Sequence, residues 1–123
     1  MKHQSERSLV FGGMFFRSAD PELLGPWYDE HFGIHPPSDT RLWEQQAGPT
    51  VFTAFPADTD YFGRMDQSFM LNFRVDDLDG LLQELSTGGV KIDETREDSE
   101  YGRFAWVYDP EGNKIELWEP PKA

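Results

Sequence analysis

The chain repeats itself. Shifted by about 57 residues, Phe16-Arg17 falls on Phe73-Arg74, Asp20 on Asp77 and Leu24 on Leu81. Near the end of each half, Val51-Phe52-Thr53-Ala54-Phe55-Pro56 parallels Ile115-Glu116-Leu117-Trp118-Glu119-Pro120. So few identities carry little by themselves. The order of elements carries more, because each half reads as strand, helix, then strands. With 123 residues there is room for one domain, spanning residues 1–123, made of two βαβββ modules at about 9–56 and 68–119.

In the first half, Leu9 to Phe16 is apolar and reads as a strand. Asp20-Pro21-Glu22 is a helix start, with a capping Asp, Pro at the first helical position and an acid near the positive end. Leu24, Trp27, Tyr28, His31 and Phe32 follow at helical spacing and Gly33 suits the terminator, which predicts a helix over 20–32 with a kink or break at Pro26. Ile34 to Asp39 is a Pro-rich loop. Strands are expected at 41–46 and 50–55, joined by the turn Ala47-Gly48-Pro49, and a polar connector at 56–66. In the second half a strand is expected at 68–75. A helix capped by Asp76 or Asp77 then carries the stripe Leu78, Leu81, Leu82 and Leu85 and ends at Gly88-Gly89. A short strand at 90–93, a charged loop at 94–100 and strands at 103–108 and 114–119 complete it, the last two joined by the turn Asp109-Pro110-Glu111-Gly112-Asn113.

Composition narrows the function. There are no cysteines, which excludes disulfides, thiolate metal sites and cysteine nucleophiles. A net charge of −12 opposes general binding to nucleic acid or to an anionic membrane. No apolar run approaches a membrane span, and no apolar core follows Met1-Lys2-His3-Gln4-Ser5-Glu6, so a soluble cytoplasmic protein is expected. Aromatic residues make up 15% of the chain, enough to line a cavity or to build a dense core. Phosphate loops, HExxH and Gly-x-Ser-x-Gly are all missing.

Three stretches resemble the vicinal oxygen chelate superfamily of glyoxalase I, bleomycin-resistance proteins and extradiol dioxygenases. They are Phe15-Phe16-Arg17-Ser18-Ala19-Asp20-Pro21 leading to Trp27-Tyr28 and Phe32-Gly33, then Asn72-Phe73-Arg74-Val75-Asp76-Asp77-Leu78, then Tyr108-Asp109-Pro110-Glu111-Gly112-Asn113-Lys114-Ile115-Glu116-Leu117. The last is the most specific. The resemblance covers roughly residues 9–119 and implies an α+β fold in which two βαβββ modules form a cupped mixed sheet. It implies a ligand or metal between the modules, and commonly a homodimer. Metal-dependent relatives take one ligand from the first and one from the last strand of each module. Those slots resemble Gly13, Phe52, Met70 and Glu116 here. Glycine has no side chain, Phe has no donor atom, and a thioether is a poor ligand for hard divalent ions. One carboxylate does not make up the roughly three protein ligands of a catalytic site. No metal and no cofactor are therefore expected.

Strand alternation places Phe52, Met70, Asn72, Arg74, Glu116 and Trp118 toward the cup. Glu116 is the candidate catalytic base or ligand acceptor. Arg17 resembles the arginine that meets the substrate carboxylate in glutathione-dependent glyoxalases, and Arg74 follows from the repeat. Trp43 is a candidate for stacking and Asn72 for hydrogen bonding. Three functions fit these residues. The first is a metal-independent small-molecule binding protein. The second is a glyoxalase-like lyase or isomerase using Glu116 as base. The third is a non-catalytic dimerisation module.

Overall fold

The structure, a computed structural model, describes residues 9–35, 37 and 42–122. Its elements are α1 (Pro21–Phe32), β1 (Leu71–Arg74), α2 (Leu78–Thr87), β2 (Lys91–Ser99), β3 (Gly102–Tyr108) and β4 (Lys114–Glu119). The four strands form one mixed sheet in the order β1-β4-β3-β2. β1 runs parallel to β4 and the other neighbours are antiparallel. Helix α2 between β1 and β2 makes the second half a complete βαβββ unit.

One face of this sheet is the core. Ile115 and Leu117 of β4 and Ala105 and Val107 of β3 are fully buried against Leu78, Leu82 and Leu85 of α2. The leucine stripe read from the sequence is therefore the packed face of α2, and Asp77 caps it by accepting from Gly80 N at 3.1 Å. Leu24 and Tyr28 of α1 enter the same core, and Phe32 stacks on Phe73 of β1 at 4.9 Å.

Helix α1 runs unbroken through Pro26, so the break expected there as one outcome does not occur. The missing N–H of Pro26 leaves only the carbonyl of Glu22 without its helical bond, and that residue is exposed to water. Gly33 ends the helix in the left-handed conformation at φ 70°, as the sequence suggests. Asp20 stands at the cap position but its side chain caps nothing. Glu111 of the β3–β4 turn does the work instead, accepting from Ser18 Oγ and from the backbone N–H of Ala19 and Asp20 at 2.8–3.1 Å.

The strands expected at 9–16 and 50–55 are not formed, and neither is the described part of 41–46 (Arg41 lies outside the described residues). Phe11 and Phe52 approach each other at 6.0 Å, but no β-ladder joins the two segments. Their apolar side chains stay in water: Phe15 is fully exposed and Phe52 is 89% exposed. A strand needs a ladder partner as well as an apolar pattern, and the sheet of the second half does not offer one to these segments. In the second half, β1 is shorter than the expected 68–75, while β2 takes in all but Glu100 of the stretch expected to be a charged loop at 94–100. β2 is an edge strand with an irregularity between Ile92 and Arg96, so its acids face solvent while its backbone pairs with β3. Gly102 turns the chain from β2 into β3 at φ 126°, and a Cβ there would collide with the Glu119 carbonyl.

Candidate functional site

The turn Asp109–Asn113 fixes the register of β3 on β4, and with it the face opposite the core. Trp106 lies beside Glu116 and Asn72 in one row across three strands. Phe104, Trp118 and Arg74 form the next row, and Tyr108 and Lys114 the row on the other side. Glu116, Asn72 and Trp118 therefore share a face, as alternation along the strands requires.

Glu116 is 9% exposed. Its two oxygens are held separately: Asn72 Nδ2 donates to Oε1 at 2.6 Å and the Tyr61 hydroxyl donates to Oε2. Tyr61 comes from the connector, expected mainly as a solvated loop, which here crosses the face. Its ring lies parallel to Phe55 at 5.6 Å and edge-on to Trp106 at 6.2 Å. Lys114 Nζ donates to the Tyr61 carbonyl at 3.0 Å and sits 5.3 Å from the ring centre. Burial raises the pKa of the Tyr61 hydroxyl, and the Glu116 carboxylate raises it further. The Trp106 indole beside the hydroxyl acts in the opposite direction, although its buried Nε1–H meets no acceptor in full hydrogen-bond geometry among the described residues. Beyond Trp106, Phe104 and Trp118 continue as a row of near-parallel rings at 6.5 and 6.4 Å, both half-buried. Trp118 Nε1 is turned away to the Tyr101 carbonyl, 2.8 Å distant.

The other candidates scatter. Arg74 is on the right face by register, but its guanidinium donates to the carbonyls of Gln46 and Pro49 and not toward Glu116. It lies against Gly48, where a Cβ would come within 2.7 Å of it. Arg74 and Trp43 line a separate open cleft of about 660 Å³ with Asp76, Asp77 and Glu119. Phe52 lines a smaller one of about 400 Å³ with Leu9 to Gly12. Arg17 is exposed, and no hydrogen bond or ion pair joins it to another described residue. Met70 precedes β1, half-buried, without a polar contact to Glu116. Two residues of the site, Trp106 and Phe104, are not among the contacts read from the sequence, and Tyr61 is read there as a connector residue that either closes over the cup or, as the favoured reading, belongs to a solvated loop. Trp106 and Phe104 were findable, since a five-residue turn between β3 and β4 sets Trp106 opposite Glu116.

The residues present do not fit a catalytic divalent ion. Gly13 and Phe52 offer no donor, Met70 offers only a thioether, and both oxygens of Glu116 are bonded to neutral partners. Among the described residues no three His, Cys, Asp or Glu side chains gather closely enough to hold a metal. His31 packs on Trp27, and His35 pairs with Asp29 at 3.0 Å. Among the described residues, no helix is long and apolar enough to cross a membrane.

Tyr28, Tyr61 and Tyr108 all hold their protons above the ordinary tyrosine range. Tyr108 is pushed up to about 12, first by burial and then by its 2.5 Å bond to Asp93. A raised pKa means that the folded state keeps a proton that the unfolded chain gives up. The stabilisation is whole below pH about 10 and is lost as pH climbs through the folded value. Urea unfolding is therefore expected to show falling stability between pH about 10 and 12. Tyr108→Phe should show a shallower fall, and an equal slope would exclude Tyr108 as a source.

Residues 14–117 match the family model of the Glyoxalase/Bleomycin resistance protein/Dioxygenase superfamily. Among solved structures, TnmS3, an antibiotic binding protein from Streptomyces sp. CB03234, is 28% identical with a TM-score of 0.55, over 84% of this chain and 88% of that one. A superfamily member from Sphaerobacter thermophilus is 19% identical with a TM-score of 0.54, over 92% and 98%. The trypanothione-dependent glyoxalase I of Leishmania major is 22% identical with a TM-score of 0.51, over 85% and 81%. In two further alignments the match spans under half of the other chain, 47% and 46%. No curated protein matches. The family model covers most of the sequence, and the α+β fold around Glu116 agrees with it: the chain belongs to the glyoxalase/bleomycin-resistance/dioxygenase superfamily.

Proposed function

We propose that the protein is a cytoplasmic, metal-independent small-molecule binding protein acting as a homodimer, with its ligand on the Glu116 face. The observation that carries this is Glu116 itself. It is buried beside an open row of aromatic rings and held by two neutral donors, where a metal-dependent relative would place a ligand set. Apolar walls with a few convergent polar groups are the usual make-up of a ligand site. Glu116, Asn72 and Trp118 are its contacts from the sequence, joined by Trp106, Phe104 and Tyr61. The likeness to TnmS3, an antibiotic binding protein, supports binding of a small molecule over turnover, and the row of rings suits a planar aromatic one.

A second reading, a module that only dimerises, has one observation in its favour: Tyr61 fills the polar end of the face. The half-exposed ring row beyond it favours a ligand. Thermal unfolding of the purified chain separates the two. A binding protein is stabilised by some planar aromatic compounds, by on the order of 10 °C at a hundred times Kd. Mg²⁺, Mn²⁺, Fe²⁺ and Zn²⁺ should leave the melting temperature unchanged. A purified protein carrying one divalent ion per chain, lost in Glu116→Gln, would overturn the metal-free reading. Turnover of a carbonyl or lactone substrate that Glu116→Gln abolishes would make it a glyoxalase-like lyase or isomerase.

A further inference from the structure

Resting on that reading, the geometry also points to the ligand's chemical class. The polar end of the site is already taken by the protein's own Tyr61. A phenol donates to Glu116, and its ring stands edge-on to Trp106 and parallel to Phe55. The residue sits in the connector, whose described residues form turns and no helix or strand. It is therefore held by side-chain contacts and by Lys114, not by a ladder. Beside the phenol, the indole N–H of Trp106 is buried in a residue 3% exposed and has no acceptor in full hydrogen-bond geometry among the described residues. Buried donors are nearly always satisfied, so an orphan next to a carboxylate marks a place where an acceptor belongs.

We infer that Tyr61 stands in for the ligand, and that the site takes an uncharged planar aromatic compound bearing a hydroxyl, which displaces Tyr61. The ligand hydroxyl donates to Glu116 Oε2, and its oxygen accepts from Trp106 Nε1 in the full geometry that the tethered tyrosine does not reach. The flat ring then extends along Phe104 and Trp118. A carboxylate or phenolate would lack the donated proton and would meet Glu116 in a protein of net charge −12. An aliphatic alcohol would have no face to lay against the rings.

The probes are 2-naphthol, its methyl ether and naphthalene, titrated into the full chain by calorimetry. 2-Naphthol should bind about tenfold more tightly than the ether, the scale of one hydrogen bond to a charged acceptor. Tyr61→Phe keeps the ring but removes the competing hydroxyl. It loosens the segment that every ligand of this site displaces, so it should tighten 2-naphthol and the ether alike, by about tenfold. Glu116→Gln should erase the preference for the hydroxyl. In the unaltered protein, hydrogen exchange of residues 57–63 should quicken on adding 2-naphthol as the connector is released. If the three probes bind equally, or if Tyr61→Phe weakens 2-naphthol, this inference falls while the binding reading stands. If none of them binds, the reading beneath it falls too.

Discussion

Asp109→Ala lowers the unfolding free energy by about 3–5 kcal/mol, the largest loss expected from one polar residue here. The carboxylate is 4% exposed and accepts four hydrogen bonds. Oδ1 takes the backbone N–H of Glu111 and of Asn113, which shapes the β3–β4 turn. Oδ2 takes Asn113 Nδ2 and the Tyr28 hydroxyl, both at 2.8 Å, and the second of these ties α1 to the sheet. Alanine leaves all four donors without an acceptor in a place that water does not reach. Each orphan costs about 1–3 kcal/mol, but the four share one group and do not sum. Asp109→Asn keeps one acceptor oxygen and should lose about half as much. Tyr28→Phe removes a single bond and should cost about 1 kcal/mol. Urea unfolding of the three variants tests the order. A loss below about 1 kcal/mol for Asp109→Ala would mean that the turn is set by its backbone alone.

The same cluster shows what was legible in the sequence. The Asp-Pro-Glu-Gly-Asn turn, β3, β4 and the leucine face of α2 follow from local rules, because turn chemistry and helical spacing act over a few residues. The placement of Glu116, Asn72 and Trp118 on one face followed from alternation alone. β2 was underestimated because its charges read as loop, whereas an edge strand satisfies its backbone on one side and solvates its acids on the other. Closure of the connector over the cup is one of two readings that Tyr61 allows, with a solvated loop favoured; local rules do not choose between them, because the Glu116 partner is 55 residues away. Arg17 was placed by resemblance to a glyoxalase arginine, and in this structure it is exposed. The first-half strands are the instructive failure. Their apolar pattern was read correctly, but whether it becomes a strand depends on a partner that these residues do not find within the described chain.

That missing partner leads to the second large effect: in solution the protein should scatter light as a particle of twice the 14.2 kDa chain mass. Most of the large apolar side chains exposed among the described residues lie in the first half, from Leu9 to Phe16 and from Leu42 to Phe55. Such a patch marks an interaction surface, and a second copy offers it the same unpaired segments in return, as a two-fold interface requires. On a monomer, Phe15→Glu would be nearly silent, because a fully exposed side chain changes stability by no more than about 0.5 kcal/mol. In the dimer it buries a charge, so Phe15→Glu and Phe52→Asp should each halve the scattering mass at micromolar concentration. The melting temperature of the unaltered protein should rise with its own concentration, and that of the two variants should not. A single chain mass at every concentration, with Phe15→Glu silent, would leave the first half's apolar face to some other partner and remove the dimer from the proposed function.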